Sequence, residues 1–168
     1  MSLRIKQMLV IAGLIAFILY ISNKDSYRNP ALETVMESVE ESKVLGDMIK
    51  MSPTDIKKDY GFNINDYGEA FYYGYESIMD CDKVLIIRLN DESTGESIIS
   101  MIDKKNDELK KLFQSYAPDQ YTMLNNCILS QKGSYIIYIV SDKAEKIEKT
   151  VIKLSLIHIS EPTRQAEI

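Results

Sequence analysis

The chain has 168 residues, with 20 Lys and Arg against 25 Asp and Glu, a net charge of −5, a single His and two Cys. That length allows one domain with a modest core. The acidic balance excludes the basic stripe that a nucleic-acid partner requires, and equally a surface that clings to anionic lipid.

Residues 8–21, MLVIAGLIAFILYI, carry no charge, no side-chain amide and no Pro. Arg4 and Lys6 precede them. Counted from Leu3, with both cations reaching back to the headgroups, the run is long enough for a spanning helix of about 20 residues. A positive start holds the N-terminus in the cytoplasm and exports the rest. A cleaved signal peptide begins the same way, but cleavage wants small residues, and Phe17-Ile18-Leu19-Tyr20-Ile21-Ser22 offers large ones. We therefore read residues 1–22 as a signal-anchor, 23–29 as a linker and 30–153 as an extracytoplasmic domain. A secreted soluble domain after cleavage is the alternative.

The opposite end reads differently. Leu154 to Arg164, LSLIHISEPTR, matches codon by codon the translation of a transposase sequencing adapter. Residues 154–168 are set aside as an adapter-derived scar, with the natural C-terminus expected to be missing, and His158 goes with them. Residues 23–153 carry 17 Lys and Arg against 23 Asp and Glu.

In chain order, Asn29-Pro30 reads as N-cap and first residue of a helix with Leu32, Val35, Met36 and Val39 on one face. Ser52-Pro53-Thr54-Asp55 starts a second, short helix that Gly61 closes. Residues 69–76 form a strand by aromatic content, with Phe71, Tyr73 and Tyr75 on one face and Tyr72 and Gly74 on the other. Residues 83–89 form a second strand, apolar on both faces and central. Ser93-Thr94-Gly95-Glu96 has capping-box spacing. The helix after it carries a stripe of Ile98, Ile102, Leu109, Leu112, Phe113 and Tyr116, and stops at Ala117-Pro118. Residues 124–130 form a third strand, Gln131-Lys132-Gly133-Ser134 a hairpin turn, and 135–140, YIIYIV, a fourth strand apolar on both faces. Ser141-Asp142 opens the last helix, with Ile147 and Val151 inward. The expected fold is α+β, in the order αα-ββ-α-ββ-α: a four-stranded antiparallel sheet with its helices on one face, behind an N-terminal transmembrane helix.

Tyr60-Gly61-Phe62 with its polar loop, the aromatic strand, the charged helix after a buried strand, Lys132-Gly133-Ser134-Tyr135 and Val140-Ser141-Asp142 together resemble one family. It is the bacterial family catalogued as domain of unknown function 4358, and the resemblance runs from about residue 32 to residue 153. It implies a short exported protein, often a lipoprotein, with no assigned activity. This sequence departs from that pattern because no Cys lies near the apolar run.

With His158 set aside the domain has no His, which removes Ser–His and Cys–His catalysis and most zinc sites. Gly68, Gly74 and Gly95 stand alone, so there is no phosphate loop. Asp55, Asp59, Asp66 and Glu69 flank the Tyr60-Gly61 turn and read first as a solvated acidic loop, against a calcium or glycosidase-like site. Tyr72, Tyr73 and Tyr75 are the binding candidates, as phenols facing a peptide or glycan. Cys81 and Cys127 are candidates for a disulfide, with two free buried thiols favoured. No cofactor and no metal is implied. The resulting expectation is a non-catalytic, membrane-anchored envelope module that binds another protein or a wall component. The alternative is a carboxylate-dependent cell-wall hydrolase whose cleft joins Asp66 or Glu69 to Tyr72 or Tyr75.

Overall fold

The computed structural model describes residues 31–77 and 79–157, without the side chains of 154–157, together with Ile11, Gly13, Leu14 and Ile15. These last four are helical, and Ile11, Leu14 and Ile15 are exposed. The rest of the apolar run, the linker and residues 158–168 lie outside the described residues. Among the described residues no helix is long and apolar enough to cross a membrane.

Helix α1 spans Leu32–Glu41 and is followed by a two-residue strand β1, Ile49–Lys50. Helix α2 is Pro53–Tyr60, strand β2 Gly68–Gly74 and strand β3 Lys83–Leu89. Helix α3 is Gly95–Phe113 and helix α4 Pro118–Asn125. Strands β4, Ile128–Lys132, and β5, Tyr135–Val140, form a hairpin before helix α5, Ala144–Ile157.

The α+β class and the antiparallel pairing are as expected, but the sheet has five strands, in the order β1-β2-β3-β5-β4. The added strand is β1, whose Ile49 and Lys50 pair with Gly74 and Tyr73. Two residues carry too little periodicity to register as a strand.

The helices cover both faces of the sheet, not one. On the first face Tyr72, Leu85, Ile87, Ile136, Tyr138 and Val140 pack under Ile56 and Tyr60 of α2, Ile98, Ile102 and Phe113 of α3, and Leu124 of α4. On the second, Tyr73, Val84, Ile86, Tyr135, Ile137 and Ile139 pack under α1 and α5, through Val35, Met36, Val39, Ile147 and Val151. Strands β3 and β5 are apolar at successive positions, so both of their faces need cover, and a single helical layer would leave one of them in water.

Local signals hold in part. The helix start expected at Ser52 forms as a capping box, with the Ser52 amide and hydroxyl both donating to Asp55 Oδ2, at 2.8 and 2.6 Å. Those bonds hold the Asp55 carboxyl below the usual carboxylate range. Gly61 closes α2 in the left-handed conformation, at φ 82°, and its amide donates to the Lys57 carbonyl at 2.9 Å.

The capping box at Ser93 does not form. Asp91 accepts from the Ser93 amide at 2.9 Å, and a single tight turn, Glu92–Thr94, leads into α3. Along α3 the buried stripe runs Ile98, Ile102, Asn106 and Phe113, with Leu109 half-buried. Leu112 and Tyr116, expected inside, are exposed, because they lie off the line that the i, i+4, i+8 spacing of the first three defines. Residues 124 and 125, expected in a strand, finish α4, which starts with Pro118 at its first position. Ser141 and Asp142 form a turn ahead of α5: the Lys143 amide donates to Ser141 Oγ at 3.2 Å.

Ile86 is fully buried on the central strand β3 and its side chain meets the second core. Replacing it with Ala is expected to cost about 2–5 kcal/mol in a denaturant titration, whereas Leu112→Ala on α3 should move stability by no more than about 0.5 kcal/mol.

Candidate functional site

The three candidate phenols do not share a surface. Tyr72 and Tyr73 alternate along β2 and are buried on opposite faces of the sheet, at 3% and 5% exposure. Each is bound to a helix: the Tyr72 hydroxyl donates to Asp59 Oδ2 of α2 at 2.5 Å, and the Tyr73 hydroxyl to Glu40 Oε1 of α1. Burial first, and the accepting carboxylate second, push both phenols well above their ordinary range. Tyr75 alone is exposed, beyond the end of β2, and its phenol is raised by slight desolvation and by Asp82, Asp47, Asp80 and Asp142. The phenols therefore pin helices to the sheet, which the alternation of a strand with two buried faces requires.

The carboxylates around Tyr60-Gly61 are dispersed too. Asp55 is engaged by Ser52 and Asp59 by Tyr72, while Asp66 accepts from Asn63 Nδ2 at 3.4 Å. Glu69 alternates with Ala70 and Tyr72 along β2, so it lies on the face opposite Asp59, 3.9 Å from Arg88. Tyr72 thus meets Asp59 rather than Asp66 or Glu69. Among the described residues no group of His, Cys, Asp and Glu is arranged to hold a metal ion.

Cys81 and Cys127 are free thiols. They precede β3 and β4, and β5 lies between those strands, which at about 4.8 Å per strand separates them beyond the span of a disulfide. Burial pushes the Cys81 thiol up to about 11, against a lowering by Lys83. Cys127 is raised by burial and lowered by Lys110 and by Asn106, whose Nδ2 lies 3.2 Å from its sulfur.

Asn106 is a buried polar group that the stripe reading passed over. Its amide nitrogen donates to the Leu124 carbonyl at 3.4 Å, and its Oδ1 accepts from the Tyr138 hydroxyl at 3.3 Å. One amide thereby joins α3, α4 and β5. Nearby, Tyr60 packs edge-on against Tyr138 with ring centroids 6.1 Å apart, and its hydroxyl is enclosed near that of Tyr72. Lys83 is half-buried on this face. Its amine is lowered by burial, and Asp59 opposes that shift.

The open concavity lies elsewhere. A groove of about 1050 Å³ runs along α5 and is closed on its other side by α4 and the start of β4. Thr122 and Met123 come from α4, Asn126 is the residue that caps it, Ile128 comes from β4, and Lys143, Lys146, Lys149 and Lys153 come from α5 and the turn before it. Its acids are Asp142 and Glu145, and Glu145 is paired with Lys149 at 3.5 Å. Lys143, Lys146 and Lys153 make no ion pair among the described residues. The groove is cationic on a chain whose net charge is negative. The signal for it is in the sequence: lysines at 143, 146, 149 and 153 recur at helical spacing opposite Ile147 and Val151.

The chain matches the family described as Domain of unknown function (DUF4358) over residues 40–141. It belongs to that family. The matched stretch takes in the whole sheet and α2 to α4, and it ends before α5. The lysine wall of the groove therefore lies outside the matched stretch. No curated protein and no solved structure shows significant similarity to the chain.

The thiols give a direct check on this packing. Cys81 is expected to resist alkylation at neutral pH in the folded chain and to react on denaturation, with half-buried Cys127 labelling first. Peptide mass mapping after iodoacetamide treatment reads the order.

Proposed function

We propose that the domain is a non-catalytic binding module, held at the outer face of the cell membrane by residues 8–21. The observation that carries the binding half is the groove between α4 and α5. It offers amines, hydroxyls and a side-chain amide around an apolar floor of Met123, Ile128 and Ala144. A few polar groups over apolar ground is the composition of a recognition site. The export half is supported by Arg4 and Lys6 ahead of an uncharged run and by the large residues at the run's own C-terminal end, Phe17 to Ile21. The buried phenols serve the core, where they bind helices to the sheet.

A photo-crosslinking side chain placed at Thr122 in intact cells tests both halves, with a control at Lys57 on α2, outside the groove. External protease is expected to digest the domain and leave an N-terminal remnant in the membrane. The Thr122 variant is expected to give a discrete adduct that the Lys57 variant lacks. Protection of the domain inside the cell would overturn the export half, and identical adducts at the two positions would overturn the groove half.

A further inference from the structure

We infer that the groove takes an extended acidic segment of a partner protein, laid along α5 beside the open edge of β4. This rests on the binding-module reading and names its ligand class. Three features of the groove converge on that occupant.

The first is charge. Lys143, Lys146 and Lys153 have no acidic partner among the described residues, and Lys149 is only surface-paired. Such a row attracts carboxylates and orients them. The second is the sheet edge. Among the described residues β4 is the last strand in the order and pairs only with β5, so its outer amides and carbonyls have no strand neighbour there, and its first residue, Ile128, lines the groove. The opposite edge, β1, is two residues long, which leaves β4 as the edge with room for an added strand. The third is the floor, where Met123 and Ile128 are half-buried and suit an apolar side chain between the carboxylates. An anionic polymer without amides would use the lysines but neither the edge nor the floor.

The dimensions agree. From Lys143 to Lys153 a helix advances about 15 Å. An extended peptide covers that in about five residues, with alternate side chains on one side. An Asp–Leu alternation therefore presents acids to α5 and apolar groups to the floor. The chain's own linker does not fit, since residues 23–29 hold Lys24 and Arg28 against Asp25.

The test uses the full chain in neutral detergent and fluorescence anisotropy. The probe is a labelled peptide of alternating Asp and Leu, about six residues long. Two further copies of the probe carry N-methyl groups on one or the other alternate set of amides, and inorganic polyphosphate serves as competitor. The unmodified peptide is expected to bind and to weaken with added salt. The joint substitution Lys146→Glu and Lys153→Glu should raise Kd about tenfold or more. Because both lysines are exposed, circular dichroism should show the fold unchanged. N-methylation in one of its two registers should abolish binding.

If polyphosphate binds through the same lysines and both N-methylated registers bind like the parent, the site is an anion rail. The peptide inference then falls while the binding-module reading stands. If the peptide does not bind at all, the inference falls outright, and the adduct at Thr122 decides the broader reading independently.

Discussion

Two strands that are apolar on both faces set the architecture. β3 buries Val84 and Ile86 on one side and Leu85 and Ile87 on the other, and β5 does the same with Ile137 and Ile139 against Ile136 and Tyr138. Each such side chain contributes about 1.5–3 kcal/mol only when it is removed from water. A pair of adjacent strands with this composition is stable only at the centre of a sheet with a layer on each side. β2 and β4 then flank the pair, and the helices divide between the faces: α2, α3 and α4 on one, α1 and α5 on the other. Register is fixed with the same force, since a slip of one residue would exchange the contents of the two cores.

Much of this is legible in the sequence, and the reading fails where a long-range requirement decides. The continuous apolar runs at 83–89 and 135–140 announce central strands. They also imply two covering layers, which the expectation of helices on one face did not follow through. The start of α2 is local chemistry, a Ser with Pro and Asp at fixed offsets, and it forms as read. The start of α3 has the same kind of signal at Ser93, yet Asp91 takes the amide instead, since a competing acceptor two residues upstream reaches it first. Asn106 is polar by composition and core by position. Only the meeting of Leu124, Cys127 and Tyr138 around it makes the burial intelligible.

The candidate residues show the same division. An aromatic strand looks like a recognition surface when its neighbours are unknown. Once helices cover both faces, each successive Tyr must turn its hydroxyl to a partner inside, and Asp59 and Glu40 are the acceptors that the helices supply. The acids flanking the Tyr60-Gly61 turn are likewise separated by the pleat, which sends Glu69 to the face opposite Asp59. Periodicity places residues on a face; it does not say which face a neighbour will cover.

What the layers leave open is their edge. Closing both faces of an antiparallel sheet does nothing for its two outer strands, and here the two are unequal. β1 is short, with Lys50 set over the Phe71 ring at 4.4 Å, a charged and blunt margin of the kind that discourages pairing. β4 is longer, five residues, and its first residue, Ile128, lies in the groove between α4 and the lysines of α5. An extended acidic segment, as proposed, would meet the lysines of that wall and the start of the strand edge. The asymmetry of the two edges follows from the same two-faced core that fixes the fold, and it is the ground on which an acidic peptide is proposed at β4.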